Sequence, residues 1–243
     1  GLEWLYRVYF FVCIDIILHS VLAVLGKVGI FRALIPTTFR RILSRSVIKN
    51  WKVVGDSSRM LIMEQELFRH IETELFVQLR HLPNALELVQ NALEWAAGNS
   101  ASPPEVFREL VAQLGLQSEF AASRGVHCHH FPICVRRILP DNTLLSMTSG
   151  GNEDWYSISL ISYAQVSQRD GFFATVNFIA KAMAKLYQAR PHWGKHIPLS
   201  SQELISLYPE FSNYRDICTM LDADGRFRNE WFDQLFGHDT FTN

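Results

Sequence analysis

Residues 8 to 25 are nearly all apolar, close to the roughly 20 residues that a membrane-crossing helix needs. Asp15 and His19 interrupt this run and, four apart, would share one face of a helix. An ionisable pair is costly in lipid, so the pattern predicts a buried or membrane-surface helix rather than a span. Gly26 and Gly29 break it. Phe31-Arg32-Ala33-Leu34-Ile35 and Phe39-Arg40-Arg41-Ile42-Leu43 then mix basic and apolar residues, a composition suited to an anionic lipid surface. Residues 1–50 read as an apolar helical segment with a possible membrane partner, and 51–243 as a separate domain.

Alternation at period two marks strands. Met60, Ile62, Glu64 and Glu66 alternate with Leu61, Met63, Gln65 and Leu67, and His70 to Val77 alternates again, which predicts a half-buried strand. Further strands are expected at His127 to Leu139, Thr143 to Met147 and Trp155 to Ala164. Pro140-Asp141-Asn142 and Ser149-Gly150-Gly151-Asn152 supply the turns between them. Helix starts are marked by Asn84-x-x-Glu87, Ser102-Pro103-Pro104-Glu105 and Ser200-x-x-Glu203, each a capping box that satisfies orphan N–H groups. Phe172, Phe173, Val176, Ile179, Ala180, Met183 and Leu186 recur at three and four, the stripe of a helix packed on one face. The sum is an α+β fold, an antiparallel sheet flanked by helices.

Composition narrows the function. The 243 residues can bury a sizeable core, and the net charge of −1 gives no electrostatic case for nucleic acid. Cys13, Cys128, Cys134 and Cys218 form no C-x-x-C pair and no disulfide framework; a reduced, intracellular protein is the expectation. No G-x-S-x-G, G-x-G-x-x-G or P-loop occurs, which removes the common hydrolase and nucleotide-binding devices. His127-Cys128-His129-His130 holds zinc-ligand types. Neighbours on a strand face opposite ways, however, so at most two would converge, and no metal is expected. On the strand His127 to Leu139, one face would carry Cys128, His130, Pro132, Cys134, Arg136 and Ile138. A buried Arg136 would need a partner there.

The remaining signal is Arg190-Pro191-His192-Trp193-Gly194-Lys195, with Leu207-Tyr208-Pro209 and Leu221-Asp222-Ala223-Asp224-Gly225-Arg226-Phe227-Arg228-Asn229 behind it. With Phe131 to Arg136 and Asp141 to Ser146, these blocks resemble the aldonolactone oxidases, the family of L-gulonolactone and D-arabinono-1,4-lactone oxidases. The resemblance implies a vanillyl-alcohol-oxidase-type cap domain whose C-terminal tail packs on an N-terminal FAD-binding domain absent from these 243 residues. It implies FAD as cofactor, a sugar lactone as substrate and molecular oxygen as acceptor, with hydride passing from lactone C2 to flavin N5. Arg136, Lys195 and His192 match catalytic positions. His130, Cys134, Glu74, Arg190, Trp193 and Asn229 are expected to face substrate or flavin. One departure stands out: the family's Glu two residues before the Arg is Cys134 here, so either another group such as Glu74 or His130 supplies what that acid does, or the chain uses a different lactone, or its activity is impaired. A non-enzymatic, membrane-associated module derived from such a cap is the rival reading.

Overall fold

The computed structural model describes residues 3–21, 34–38, 40–41, 52–58, 69–98, 103–163 and 166–236. The alternation expected at 60–67, both glycine breaks after residue 25, and Ser102 lie outside these residues.

Four strands make one antiparallel sheet: β1 (His70–Gln78), β2 (Cys134–Ile138), β3 (Trp155–Tyr163) and the short β4 (Arg190–Pro191), in the order β2-β3-β1-β4. Helices in chain order are α1 (Glu3–Phe10), α2 (Leu34–Thr38), α3 (Leu82–Ala96), α4 (Glu105–Gln113), α5 (Gln117–Ala122), α6 (Val166–Tyr187), α7 (Ser201–Leu207), α8 (Phe211–Leu221) and α9 (Glu230–Phe236). Phe11–Leu18 continues α1 with wider π-type turns.

One face of the sheet builds the main core. Leu75 and Val77 of β1 and Ile158 and Leu160 of β3 pack with Leu88, Val89 and Ala92 of α3 and with Phe172, Val176, Ile179 and Met183 of α6. The apolar periodicity of α6 is therefore the stripe that meets the sheet, as expected. A second cluster joins Leu204 and Leu207 of α7, Phe211 of α8, Leu235 and Phe236 of α9, and Tyr208. Phe236 stacks on Trp193, Phe211 and Phe232 at centroid distances of 5.5, 5.4 and 4.4 Å.

The structure corrects several local expectations. The strand at 127–139 shrinks to Cys134–Ile138. His127 N–H is taken by Ala96 O at 3.0 Å, and Pro132 has no N–H to give a ladder. Thr143 to Met147 is a turn, because the Asp141 carboxylate collects Thr143 N–H and the hydroxyls of Thr143, Ser146 and Thr148. A short acidic side chain that satisfies nearby donors competes with strand pairing. Helix α3 starts at Leu82, with a proline in its first turn and no side-chain cap, so Asn84 lies inside it. Helix α4 starts at Glu105, with Pro104 as the capping residue and no side-chain cap, so the box expected to open at Ser102 does not cap it. The Ser200–Glu203 capping box is complete: Ser200 N–H reaches Glu203 Oε2 at 2.8 Å, and Glu203 N–H reaches Ser200 Oγ at 3.3 Å.

No residue of α1 is buried, and among the described residues no helix is long and apolar enough to cross a membrane. His19 ties this segment to the sheet through a hydrogen bond with the Tyr163 hydroxyl.

Candidate functional site

The second face of the sheet is polar. Residues paired across an antiparallel ladder share a face. Cys134 pairs with Ser159 and Ser159 with Glu74, which makes one row of side chains; Arg136, Ser157, Phe76 and Arg190 make the next. Glu72 lies two residues before Glu74 on the same face. This alternation also explains why β1 could be read from sequence: Leu75 and Val77 enter the core while Glu72 and Glu74 point away from it.

Both carboxylates are held by cations from other elements. Arg136 Nη1 of edge strand β2 lies 3.5 Å from Glu74 Oε1. Glu74 is only 8% exposed while Arg136 is 61% exposed, so the guanidinium anchors at one end and reaches solvent at the other. Lys195 Nζ lies 2.5 Å from Glu72 Oε2. Arg136 is largely exposed rather than buried, and it meets Glu74 diagonally across β3, from the row next to that of Glu74.

Residues 192–196 run along the free edge of β1. His192 N–H donates to Glu74 O at 2.9 Å, His196 N–H to Glu72 O at 3.2 Å, and Thr73 Oγ1 to His196 O at 3.0 Å. The His192 ring lies 6.1 Å from Phe76. Its Nδ1 accepts from Gly194 N–H at 3.0 Å. In the neutral ring the proton must therefore sit on Nε2, which leaves that nitrogen a donor.

Other expected site residues point elsewhere. Arg190 is 6% exposed. Its Nε donates to Leu207 O at 2.9 Å and its Nη1 to Ser149 O at 2.7 Å. Its guanidinium lies between the rings of Trp155 and Tyr208, 4.8 Å from each centroid. Burial lowers its pKa, while the charges of Tyr208 and Asp141 favour the cation. Trp193 sits in the second core, with Nε1 donating to Leu145 O at 2.7 Å. Asn229 caps α9 by accepting Phe232 N–H at 2.8 Å. His130 is buried in the loop before β2, 6.2 Å from His127 and 5.1 Å from Phe131. The structure brings together Glu74, Cys134, Arg136, His192 and Lys195, and leaves Arg190, Trp193, Asn229 and His130 as parts of the frame.

Two residues were missed. Ser157 and Ser159 are fully buried on the polar face, and their hydroxyls have no hydrogen-bond partner among the described residues. The signal was there: in Trp155–Tyr163 the serines alternate with Ile158 and Leu160. No group of three or more His, Cys, Asp and Glu residues among those described could hold a metal ion. Arg136 and Lys195 are the two partly exposed cations that this face offers to the rim of an anionic or carbonyl-bearing planar cofactor, whereas the Ser157 and Ser159 hydroxyls lie beneath its surface.

A sequence profile of the family described as D-arabinono-1,4-lactone oxidase matches residues 15–235. The chain is 44% identical over 235 residues to a long-chain alcohol oxidase from an uncultured marine euryarchaeote, covering 97% of this chain and 49% of that one. It is 32% identical over 110 residues to the L-gulonolactone oxidase of Scyliorhinus torazame, covering 44% and 24%. It is 27% identical over 101 residues to an alditol oxidase of a Streptomyces species, covering 42% and 23%. The chain thus spans about half the length of the first of these relatives and less of the others.

Proposed function

The chain belongs to the D-arabinono-1,4-lactone oxidase family, and on that premise we propose that it is the substrate-cap part of an FAD-linked oxidase of sugar 1,4-lactones. A preceding domain would hold the flavin, and oxygen would be the electron acceptor. The observation that carries the reading is the pair of carboxylates on β1, each held by a cation from a different element: Glu74 by Arg136 and Glu72 by Lys195.

Oxidising a secondary alcohol removes a proton from the hydroxyl and a hydride from its carbon, leaving a carbonyl. FAD, when bound, would supply the hydride acceptor and the route by which the electrons reach oxygen. The residues of this chain handle the proton and the charge. His192 Nε2, a donor in the neutral ring, orients the substrate oxygen rather than deprotonating it. The base is then a carboxylate. Glu74 suits the role better than Glu72, because its ion pair is looser, at 3.5 Å against 2.5 Å. A buried carboxylate within hydrogen-bond reach of the hydroxyl takes its proton. Arg136, anchored at Glu74 and open to solvent at its other end, stabilises the oxygen as charge builds there. Lys195 would supply a second cation to balance negative charge on the reduced cofactor.

The test is peroxide release from D-arabinono-1,4-lactone and L-gulono-1,4-lactone by the longer protein that includes the flavin domain. Turnover should collapse in Arg136→Ala and in Lys195→Ala; wild-type turnover in both would sink the assignment. A second reading is favoured by Cys134 and by the 44% identity to a long-chain alcohol oxidase. A thiol at the position where the family resemblance implies an acid gives a less polar end to the site, suited to an aliphatic alcohol. Faster peroxide release from a long-chain primary alcohol than from either lactone would decide for it.

A further inference from the structure

We infer that Cys134 is a peroxide-sensitive thiol whose sulfenic acid, held by Ser159, shuts the face that carries Glu74 and Arg136. The inference rests on the reading that this face works with oxygen and releases hydrogen peroxide beside it. Cys134 opens the edge strand β2 and is partly exposed, so a small oxidant can reach it. The polar neighbour of its sulfur is Pro132 O at 4.0 Å, a weak contact.

Ser159 stands next to it in register and is fully buried, and its hydroxyl has no partner among the described residues. On its other side Ser159 pairs with Glu74. A buried hydroxyl without a partner is unfavourable. An oxygen added to the Cys134 sulfur would give it an acceptor, so the oxidised state gains a bond that the thiol state lacks.

The step balances without a further reactant. The Cys134 sulfur attacks one oxygen of hydrogen peroxide, the O–O bond breaks, and an S–O bond forms. The departing hydroxide leaves as water with the thiol proton. Sulfur is oxidised by two electrons and the peroxide is reduced by two. The new oxygen lies at the end of the row Cys134–Ser159–Glu74, where it competes with a substrate oxygen. Added thiol reverses the change through a mixed disulfide.

The experiment exposes the 243-residue chain to added hydrogen peroxide and traps sulfenic acid with dimedone, followed by peptide mass spectrometry. Cys13, Cys128 and Cys218, also partly exposed, serve as internal comparators. Cys134 should label about tenfold faster than these three, as expected for a thiol in a selective environment. In Ser159→Ala the lifetime of the sulfenic acid, read by adding dimedone at increasing delays after the peroxide is removed, should fall about tenfold, the equivalent of one hydrogen bond. Ser159→Thr, which keeps the hydroxyl, should restore it. The inference is overturned if Cys134 labels no faster than the other cysteines, or if its sulfenic acid lives as long in Ser159→Ala as in the wild type. Because peroxide is supplied, failure here counts against the thiol alone; the oxidase reading stands or falls on the Arg136 and Lys195 variants.

Discussion

The loop that leads into β2 should make this protein sensitive to mild acid. His129 and His130 sit there with His127, the three ring centroids 5.9 to 6.5 Å apart. Both nitrogens of His129 are buried although part of the residue meets solvent. Burial pulls the pKa of His129 down to about 4, with the His130 charge adding to the effect, and burial likewise pulls His130 down to about 4. The native state therefore binds fewer protons than the unfolded chain below the ordinary histidine value of about 6.5. Stability contributed by keeping the rings neutral is full above that value and declines as pH falls toward 4. At pH 5 the loss is about 2 kcal/mol per ring and about 4 kcal/mol for the pair, a large part of a typical domain's 5–15 kcal/mol. Urea unfolding at pH 7 and pH 5 measures it. In His129→Gln/His130→Gln the difference between the two pH values should shrink by about 4 kcal/mol, since other titrating groups cancel. An unchanged difference would refute the argument.

Other perturbations test the frame. A Cβ at Gly171 would lie 2.1 Å from Val126 O, so Gly171→Ala should force the 126–133 loop off α6 and lower the thermal midpoint by several degrees, about 2 kcal/mol or more. Arg190→Met should cost about 3 kcal/mol in chemical unfolding through its lost carbonyl bonds and ring contacts. Arg190→Lys should recover little of this, because an ammonium cannot stack flat between Trp155 and Tyr208. Burial tends to raise the pKa of Asp141, but the donors Ser146, Thr143 and Thr148 outweigh it and hold it at about 2. Its depressed value means stability that is present above the ordinary carboxylate range and lost as pH falls toward 2, so Asp141→Asn should flatten the acid limb of the unfolding curve.

Elements whose side chains answer to one neighbour were legible in the sequence. The stripe of α6, the alternation of His70 to Val77 and the Ser200–Glu203 box each follow from a local period or a local bond. Failures came where distant groups decide. Nothing local in His127 to Ile133 announces that Ala96 O takes the His127 N–H, nor does Thr143 to Met147 show how completely Asp141 gathers its donors. The same division runs through the site. Arg136 and Lys195 could be named from their motifs. Their partners, Glu74 and Glu72, depend on the register of β2-β3-β1 and on the path of residues 192–196. Arg190 and Trp193 share a six-residue motif with His192 and Lys195, yet they turn toward Ser149 and Leu145 and hold that motif in place. Sequence spacing could not separate those two roles, because one end of the motif is strand and the rest follows the edge of β1.

The central claim is that Glu74 on this polar sheet face takes the hydroxyl proton during oxidation. It is tested most directly by anaerobic reduction of the flavin-containing protein by lactone, followed through the loss of flavin absorbance, in wild type and in Glu74→Gln. The account predicts reduction slowed by about 10²- to 10⁴-fold, the usual contribution of a general base, with substrate affinity much less affected. Reduction at the wild-type rate in Glu74→Gln would contradict it.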